Sequence, residues 1–403
     1  MKTTTLDKLV ENCPANYGGE AGSRDSDALV AKVSNIAGSG EFHREFETRS
    51  FTDRELIKLT ARPGDLFVVK SSGSKKKILS GKTAIIAKNT PTPLIASNFL
   101  LLLRPNSELV EPRYLWRVLN STRSKAFIKT VVGTFTYPNL KWSTYCKHPI
   151  PLPPLDEQRR IAGILDAADA LRAKRRESLA QLETLLQSTF LDMFGDPVTN
   201  PKGWAVEVFD SWLDKIDSGW SPNCLDRKAL DDEWGVLKLG AVTWCEFDET
   251  NHKALPPDLK ARPGIEVHPG DLLFTRKNTH ELVAAAAYVH SIRPKLMLPD
   301  LIFRLILKPQ VDIDPTFLWQ LLIEPHQRQT IQKLAGGAAG SMPNISKAKL
   351  KTVRLIKPPL DLQHRFATIV DSVEQQKTHQ RAHLAELDTL FAALQQRAFN
   401  GEL

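Results

Sequence analysis

Long apolar runs are missing from this 403-residue chain. Its two most apolar stretches, ASNFLLLL (96–103) and LIFRLILK (301–308), are only strand-length, and Arg304 interrupts the second. A bilayer-spanning helix needs about 20 apolar residues, so no membrane association is expected. The opening MKTTTLDKLV lacks the apolar centre of a secretion signal. Cysteine is scarce: Cys13, Cys146, Cys224 and Cys245 lie far apart, with neither a disulfide framework nor metal-ligand spacing. A reducing cytoplasm is the expected setting. No Gly/Ser-rich or other low-complexity linker divides the chain.

Catalytic signatures are also missing. Gly81-Lys82-Thr83 ends like a phosphate-binding loop, but Lys76 stands where that motif needs glycine. GGAAG (336–340) follows a helical pattern rather than a strand, which is wrong for a dinucleotide loop. No Asn-Pro-Pro-aromatic tetrad and no methyl-donor loop occurs, and Pro299-Asp300 lacks the partners of a nuclease carboxylate. The ten histidines are scattered without carboxylates at ligand spacing. None of these stretches makes a recognisable nucleotide, methyl-donor or metal site, so no cofactor or metal is expected on this chain.

What it does have is a repeat. Pro153, Pro154, Leu155, Asp156, Gln158 and Arg160 return as Pro358, Pro359, Leu360, Asp361, Gln363 and Arg365, all at an offset of 205. ArgProGlyAspLeu (62–66) returns as HisProGlyAspLeu (268–272), Leu115-Trp116 as Leu318-Trp319, and Pro138-Asn139-Leu140 as Pro343-Asn344-Ile345. A common order at a nearly constant offset marks a duplication. Each copy reads as α+β. Short apolar runs follow the Pro-Gly-Asp turns, and helical stretches start at Glu111-Pro112 (111–130) and Asp314-Pro315 (314–334), the second interrupted by Pro325. The expected division is 1–150, a first domain; 151–195, a spacer helix; 196–356, a second domain; and 357–403, a second spacer helix.

Both spacers carry long helical patterns, and Asp156 and Asp361 stand where N-caps are expected after a Pro pair. Heptad positions include Ile161, Leu171, Leu182, Phe366 and Leu387. A third apolar column runs beside that seam through Leu165, Leu179 and Leu186 in one copy and Val370, Leu384 and Phe391 in the other. So wide a stripe predicts that each helix covers a second surface as well. Asp156 to Met193 spans roughly 57 Å at 1.5 Å per residue.

Charge is unevenly spread. Residues 1–150 hold 23 Lys/Arg against 13 Asp/Glu, whereas 196–356 hold 20 of each. An excess concentrated in the first third suits a polyanionic partner. Polar and basic residues gather on turns. Lys70, Ser72, Lys75, Lys76 and Lys77 follow the first Pro-Gly-Asp strand, and Arg276, Lys277 and Asn278 follow the second. Thr136, Tyr137 and Lys141, matched by Ser341, Asn344 and Lys347, flank the later glycine-rich turns, and Trp220 and Ser221 form a third cluster. Arg and Lys suit phosphates and guanine edges, Asn suits adenine, and Ser suits either.

PLPPLDEQRRIAGILD, QSTFLDMFGDP, HPGDLLFTRKNT and the terminal QQRAFNGEL carry a resemblance. Over essentially its full length the chain resembles the DNA-specificity subunits of type I restriction–modification systems. The resemblance implies two target-recognition domains joined by two long helices in an antiparallel coiled coil, a pseudo-twofold internal repeat. It further implies that each domain reads half of a split site on double-stranded DNA and that the helices set the gap. Two modification subunits would dock, here on the third apolar column, and restriction subunits would join them. S-adenosylmethionine, ATP and magnesium would then sit on those partners. The rival readings are a scaffold that holds polyanions without reading sequence, and a stand-alone nuclease. Binding to random duplexes separates all three.

Overall fold

The structure, a computed structural model, describes residues 2–36, 42, 45–71, 79–132, 138–337 and 342–403. The chain forms two compact units: Met1–Arg176 with Ala382–Leu403, and Glu177–Arg381.

In the first unit an antiparallel four-stranded sheet runs in the order Val10–Cys13, Leu100–Pro105, Leu66–Val69, Thr83–Ile85. A three-stranded sheet has the order Glu47–Phe51, Ser26–Ala31, Leu94–Ala96, and its last pair is parallel. Thr3–Thr5 pairs with Pro149–Pro151. The second unit repeats every part of this. Its four-stranded sheet is Leu213–Ser218, Ile302–Leu307, Leu272–Thr275, Ala286–Tyr288. Its three-stranded sheet is His252–Ala254, Gly235–Leu237, Leu296–Met297, again with a parallel last pair. Ala205–Val208 pairs with Arg354–Lys357.

The unbroken apolar runs have a simple cause. Leu66 and Val68 face one core cluster, while Phe67 and Val69 face another. Leu272 and Phe274 likewise part from Leu273. Successive strand residues point to opposite faces, so a strand covered on both faces needs apolar residues throughout.

The repeated Pro-Gly-Asp turn is also explained. Gly64 and Gly270 adopt φ of +92° and +93°, which a side chain disfavours. Asp65 and Asp271 accept the backbone N–H groups of Arg62 (2.8 Å) and His268 (3.0 Å) and pair with Arg104 (2.8 Å) and Arg304 (3.2 Å) on the neighbouring strand.

The domain helices differ from the sequence expectation in the first copy. Residues 111–130 form two helices, Pro112–Leu119 and Thr122–Val131, although no proline lies between them. Ser121 adopts an extended backbone and caps the second through the Ser124 N–H. In the second unit the break falls between Pro315–Ile323 and Pro325–Gln332, at Pro325.

The long helices run Leu155–Phe194, the central helix, and Leu360–Asn400, the C-terminal helix. Pro151 still belongs to a strand. Asp156 and Asp361 lie inside the first turn rather than capping it. The N–H groups of Gln158 and Gln363 already reach the carbonyls of Pro154 (3.0 Å) and Pro359 (3.2 Å). The carboxylates therefore act on the helix dipole.

Within each unit the helices meet antiparallel. In the first, Arg160 reaches the Leu403 carbonyl (2.6 Å) and Arg172 pairs with Asp388 (2.6 Å). In the second, Phe190 and Phe194 pack on Phe366, at ring-centroid distances of 5.6 and 5.3 Å. Ile161 and Leu165 sink into the core of the first unit. Leu186, Phe366 and Val370 sink into that of the second. Those parts of the wide stripe thus cover each helix's own domain. Leu179, Leu182, Leu384, Leu387 and Phe391 are half-buried, and Leu171 is 54% exposed.

Candidate nucleic-acid interface

In each unit the strand after the Pro-Gly-Asp turn ends against the segment that follows the glycine-rich turn. Lys70 accepts the Leu140 N–H at 2.7 Å and donates its own to Phe99 at 2.8 Å. Arg276 accepts the Ile345 N–H at 2.8 Å and donates to Leu301 at 3.1 Å. Ser71 bridges Asn139, and Lys277 bridges Asn344. Two segments distant in sequence thus form one strip, and the backbone geometry is the same in both copies.

The side chains on the strip differ. Arg276 donates through Nε to the Asn344 Oδ1 at 3.0 Å, and its guanidinium lies 5.2 Å from the centre of the Phe303 ring. Lys347 reaches back to the Ile216 carbonyl, with its ammonium 5.6 Å from the same ring. Lys141 is exposed at the start of the short helix Trp142–Tyr145. Asn278 turns inward: it is 5% exposed, donates to the Thr243 Oγ1 (3.2 Å) and accepts the Thr279 N–H (2.9 Å). Its amide makes one donor and one acceptor bond within the unit. Ser72, Lys75, Lys76, Lys77, Thr136, Tyr137 and Ser341 lie outside the described residues.

Trp220 and Ser221 join the strip of the second unit from the loop after Leu213–Ser218. The preceding Gly219 is required, because a Cβ there would stand 1.8 Å from the Leu298 carbonyl oxygen. Ser221 hydrogen-bonds Asp300, whose neighbour Leu301 meets Arg276. The Arg262 guanidinium stacks 3.9 Å from the centre of the Trp220 ring. The first unit carries a comparable aromatic–arginine plate, with Arg49 4.3 Å from the Tyr17 ring centre. Hydrogen bonds from Arg49 and Lys32 hold the Tyr17 hydroxyl below its usual pKa.

Sequence reasoning weighed Asp300 only as a nuclease carboxylate and passed over Asn98, the exposed Phe99, Tyr17 and Arg262. Three of these had a signal. Asn98-Phe99 and Asp300-Leu301 occupy the same place just before the repeated strands Leu100–Pro105 and Ile302–Leu307. Aligning the two copies there exposes a polar position that changes from amide to carboxylate.

The family described as the type I restriction modification DNA specificity domain matches residues 67–184. The EcoEI specificity subunit of Escherichia coli is 31% identical over 176 residues, 43% of this chain and 30% of that subunit. That match therefore spans less than a third of the relative's length. The EcoKI specificity subunit of Escherichia coli (strain K12) is 24% identical over 378 residues, 88% of this chain and 78% of the relative. Among solved structures, the type I restriction–modification S subunit from M. genitalium gives a TM-score of 0.54 at 13% identity, over 99% of this chain and 96% of that one. A chain from a structure on assembly and conformational transition of the type I R–M system gives 0.53 at 19%, over 100% and 98%. Those two likenesses speak for the fold, and the family match and curated relatives carry the likeness in sequence. The chain is thus similar to type I restriction–modification DNA-specificity subunits, in residues 67–184 through the specificity domain and over 88% of its length through the EcoKI subunit.

Proposed function

We propose that this chain selects the DNA sequence on which a type I restriction–modification complex acts, and that it catalyses nothing itself. Each unit reads one half of a bipartite site in double-stranded DNA, and the helices joining the units set the spacing between the halves. The observation that carries this reading is the duplicated strip. Lys70 and Arg276 hold equivalent backbone positions beside Asn139 and Asn344, yet their side chains and neighbours differ. Equal scaffolds with unequal chemistry suit two different half-sites. Arg276, Asn344, Ser221 and Lys277 are the reading set of the second unit, and Lys70, Asn139 and Lys141 that of the first.

Two modification subunits and the restriction subunits complete the assembly and carry S-adenosylmethionine, ATP and magnesium. On the first unit their docking uses the exposed Leu171 and half-buried Leu384, and on the second the half-buried Leu179, rather than Leu165, Leu186 or Val370, which serve the cores of their own units. No helix among the described residues is long and apolar enough to cross a membrane.

Selection from random duplexes by the complete complex, read together with the methylated positions in a host carrying the full operon, tests the proposal. A split motif supports it. Salt-sensitive binding without a motif, or cleavage by this chain alone with magnesium, overturns it. For docking, Leu179→Asp and Leu384→Asp should each abolish co-purification of the modification subunits while both units stay folded. Undiminished co-purification refutes that surface.

A further inference from the structure

The second unit contains a groove of about 1000 Å³ between the helix Pro315–Ile323 and the unit's own stretch of the central helix. Its floor is the core itself, with Leu186, Phe190 and Trp319. One wall carries Trp244, which is 75% exposed, and Leu191, which is 44% exposed.

Trp244 is held outward by its neighbours. Cys245 adopts a φ of +64°. Its carbonyl accepts the Trp319 Nε1–H at 3.1 Å, and its N–H bonds the Val242 carbonyl at 3.0 Å. Glu246 is pinned by Lys377 and Arg381. A non-glycine residue at positive φ stores strain, and an exposed tryptophan leaves a large apolar surface in water. A loop anchored at both sides thus presents this apolar surface at a cost that contact with a partner would offset.

The rim is acidic. Five glutamates line the groove against Arg328, Lys377 and His326. Lys377 is already paired with Glu246 and Glu374, and His326 with Asp196. Glu183 and Glu281 are exposed, and Arg328 donates to the Glu281 backbone carbonyl at 3.1 Å. The equivalent groove of the first unit, about 760 Å³, has the opposite character, with Lys125, Lys129 and Arg176 on its edge. Duplicated architecture with opposite rims means that the two grooves select different occupants.

We propose that the groove of the second unit docks a short amphipathic helix of a partner protein, with its apolar face on Trp244 and Leu191 and its lysines and arginines against Glu183 and Glu281. The proposal rests on the reading that this chain works within a protein complex. A helix about 10 Å across and rising 1.5 Å per residue fills such a volume with roughly two turns. The acidic rim repels duplex DNA and anionic lipid alike, while the apolar wall calls for a matching apolar stripe.

The test uses the full chain and two labelled synthetic peptides of equal length. Both are amphipathic and leucine-faced; one carries lysine on its polar face and the other glutamate. The lysine peptide should bind, more weakly as salt rises. Trp244→Ala and the double variant Glu183→Lys/Glu281→Lys should each weaken it about tenfold or more. Lys125→Glu/Lys129→Glu, in the other unit, should leave it unchanged. Equal binding of the glutamate peptide, or full binding by both groove variants, overturns the proposal. So does self-association of the chain that Trp244→Ala abolishes, since a second copy would then be the occupant. DNA selection by wild type and Trp244→Ala is run in parallel. Loss of a motif in wild type sinks the DNA-reading function without touching the peptide result, and an intact motif with no peptide binding sinks only the groove.

Discussion

Gln158 accepts the backbone N–H of Glu111 through Oε1 at 2.8 Å. Its Nε2 donates to the carbonyls of Pro153 (2.8 Å) and Leu109 (3.2 Å). Gln363 makes the same three bonds to Asp314 (2.9 Å), Pro358 (2.8 Å) and Asp312 (3.2 Å). Glu111 and Asp314 are the N-caps of the first domain helices. One buried amide therefore fastens the start of each long helix to its domain. Gln158→Ala leaves buried donors and acceptors unmet and should destabilise the first unit by about 1–3 kcal/mol. Gln363→Ala should do the same to the second. Urea denaturation followed by a probe in each unit checks this, and an unchanged midpoint would rule the clamp out.

Arg276 gives the sharpest test of half-site reading. Arg276→Ala should relax preference at one base pair of one half-site, a loss of about 1–3 kcal/mol in discrimination. The other half-site should keep its sequence. Selection from random duplexes with the variant complex gives both answers at once, and an unaltered motif in both halves counts against this residue.

Asp300 stands in a strip that is otherwise basic or neutral. A carboxylate repels phosphates but accepts from the exocyclic amine of cytosine. Asp300→Asn should shift the preferred base in the second half-site toward adenine without weakening overall binding. Asn98→Asp should make the converse change in the first. A uniform gain of affinity across all sequences after Asp300→Asn would mean that the carboxylate faces only the phosphates.

His148 makes the first unit acid-sensitive. It is buried, stacked 4.3 Å from the Phe127 ring and hydrogen-bonded to Ser124 at 2.6 Å. Burial, aided by the charge of Arg123, lowers its pKa to about 4. The unfolded chain takes up a proton near pH 6.5 while the folded unit does not. Stability is therefore full above pH 6.5 and falls as pH drops toward 4, by roughly 3 kcal/mol in all. Thermal melts of wild type and His148→Gln between pH 4 and 8 check the sign. The variant should lose most of that slope, and a wild-type unit that strengthens on acidification would contradict it.

Much of the fold could be read from local pattern, because each of those signals has a local cause. Strands buried on both faces appear as unbroken apolar runs, as at Leu66–Val69. The Pro-Gly-Asp turn needs its glycine at positive φ and its aspartate on the turn. Less of the interface could be read. Residue type made Asn278 and Arg276 look alike, yet one amide is spent on Thr243 while the guanidinium stays half-exposed on the strip. Helical periodicity put Leu165 and Val370 in an apolar column expected to dock partner subunits, whereas they pack into the cores of their own units.

Sequence alone determined the duplication, the presence of the two long helices and the α+β character of each copy, because repetition, periodicity and turn chemistry act over a few residues. Only the tertiary structure decided that Lys70 meets Leu140, that Gln158 fastens a helix to Glu111 and that Trp244 stands outside the core. Those relations join segments tens of residues apart. They depend on which of many compatible surfaces pack together, and no short stretch of chain records that choice.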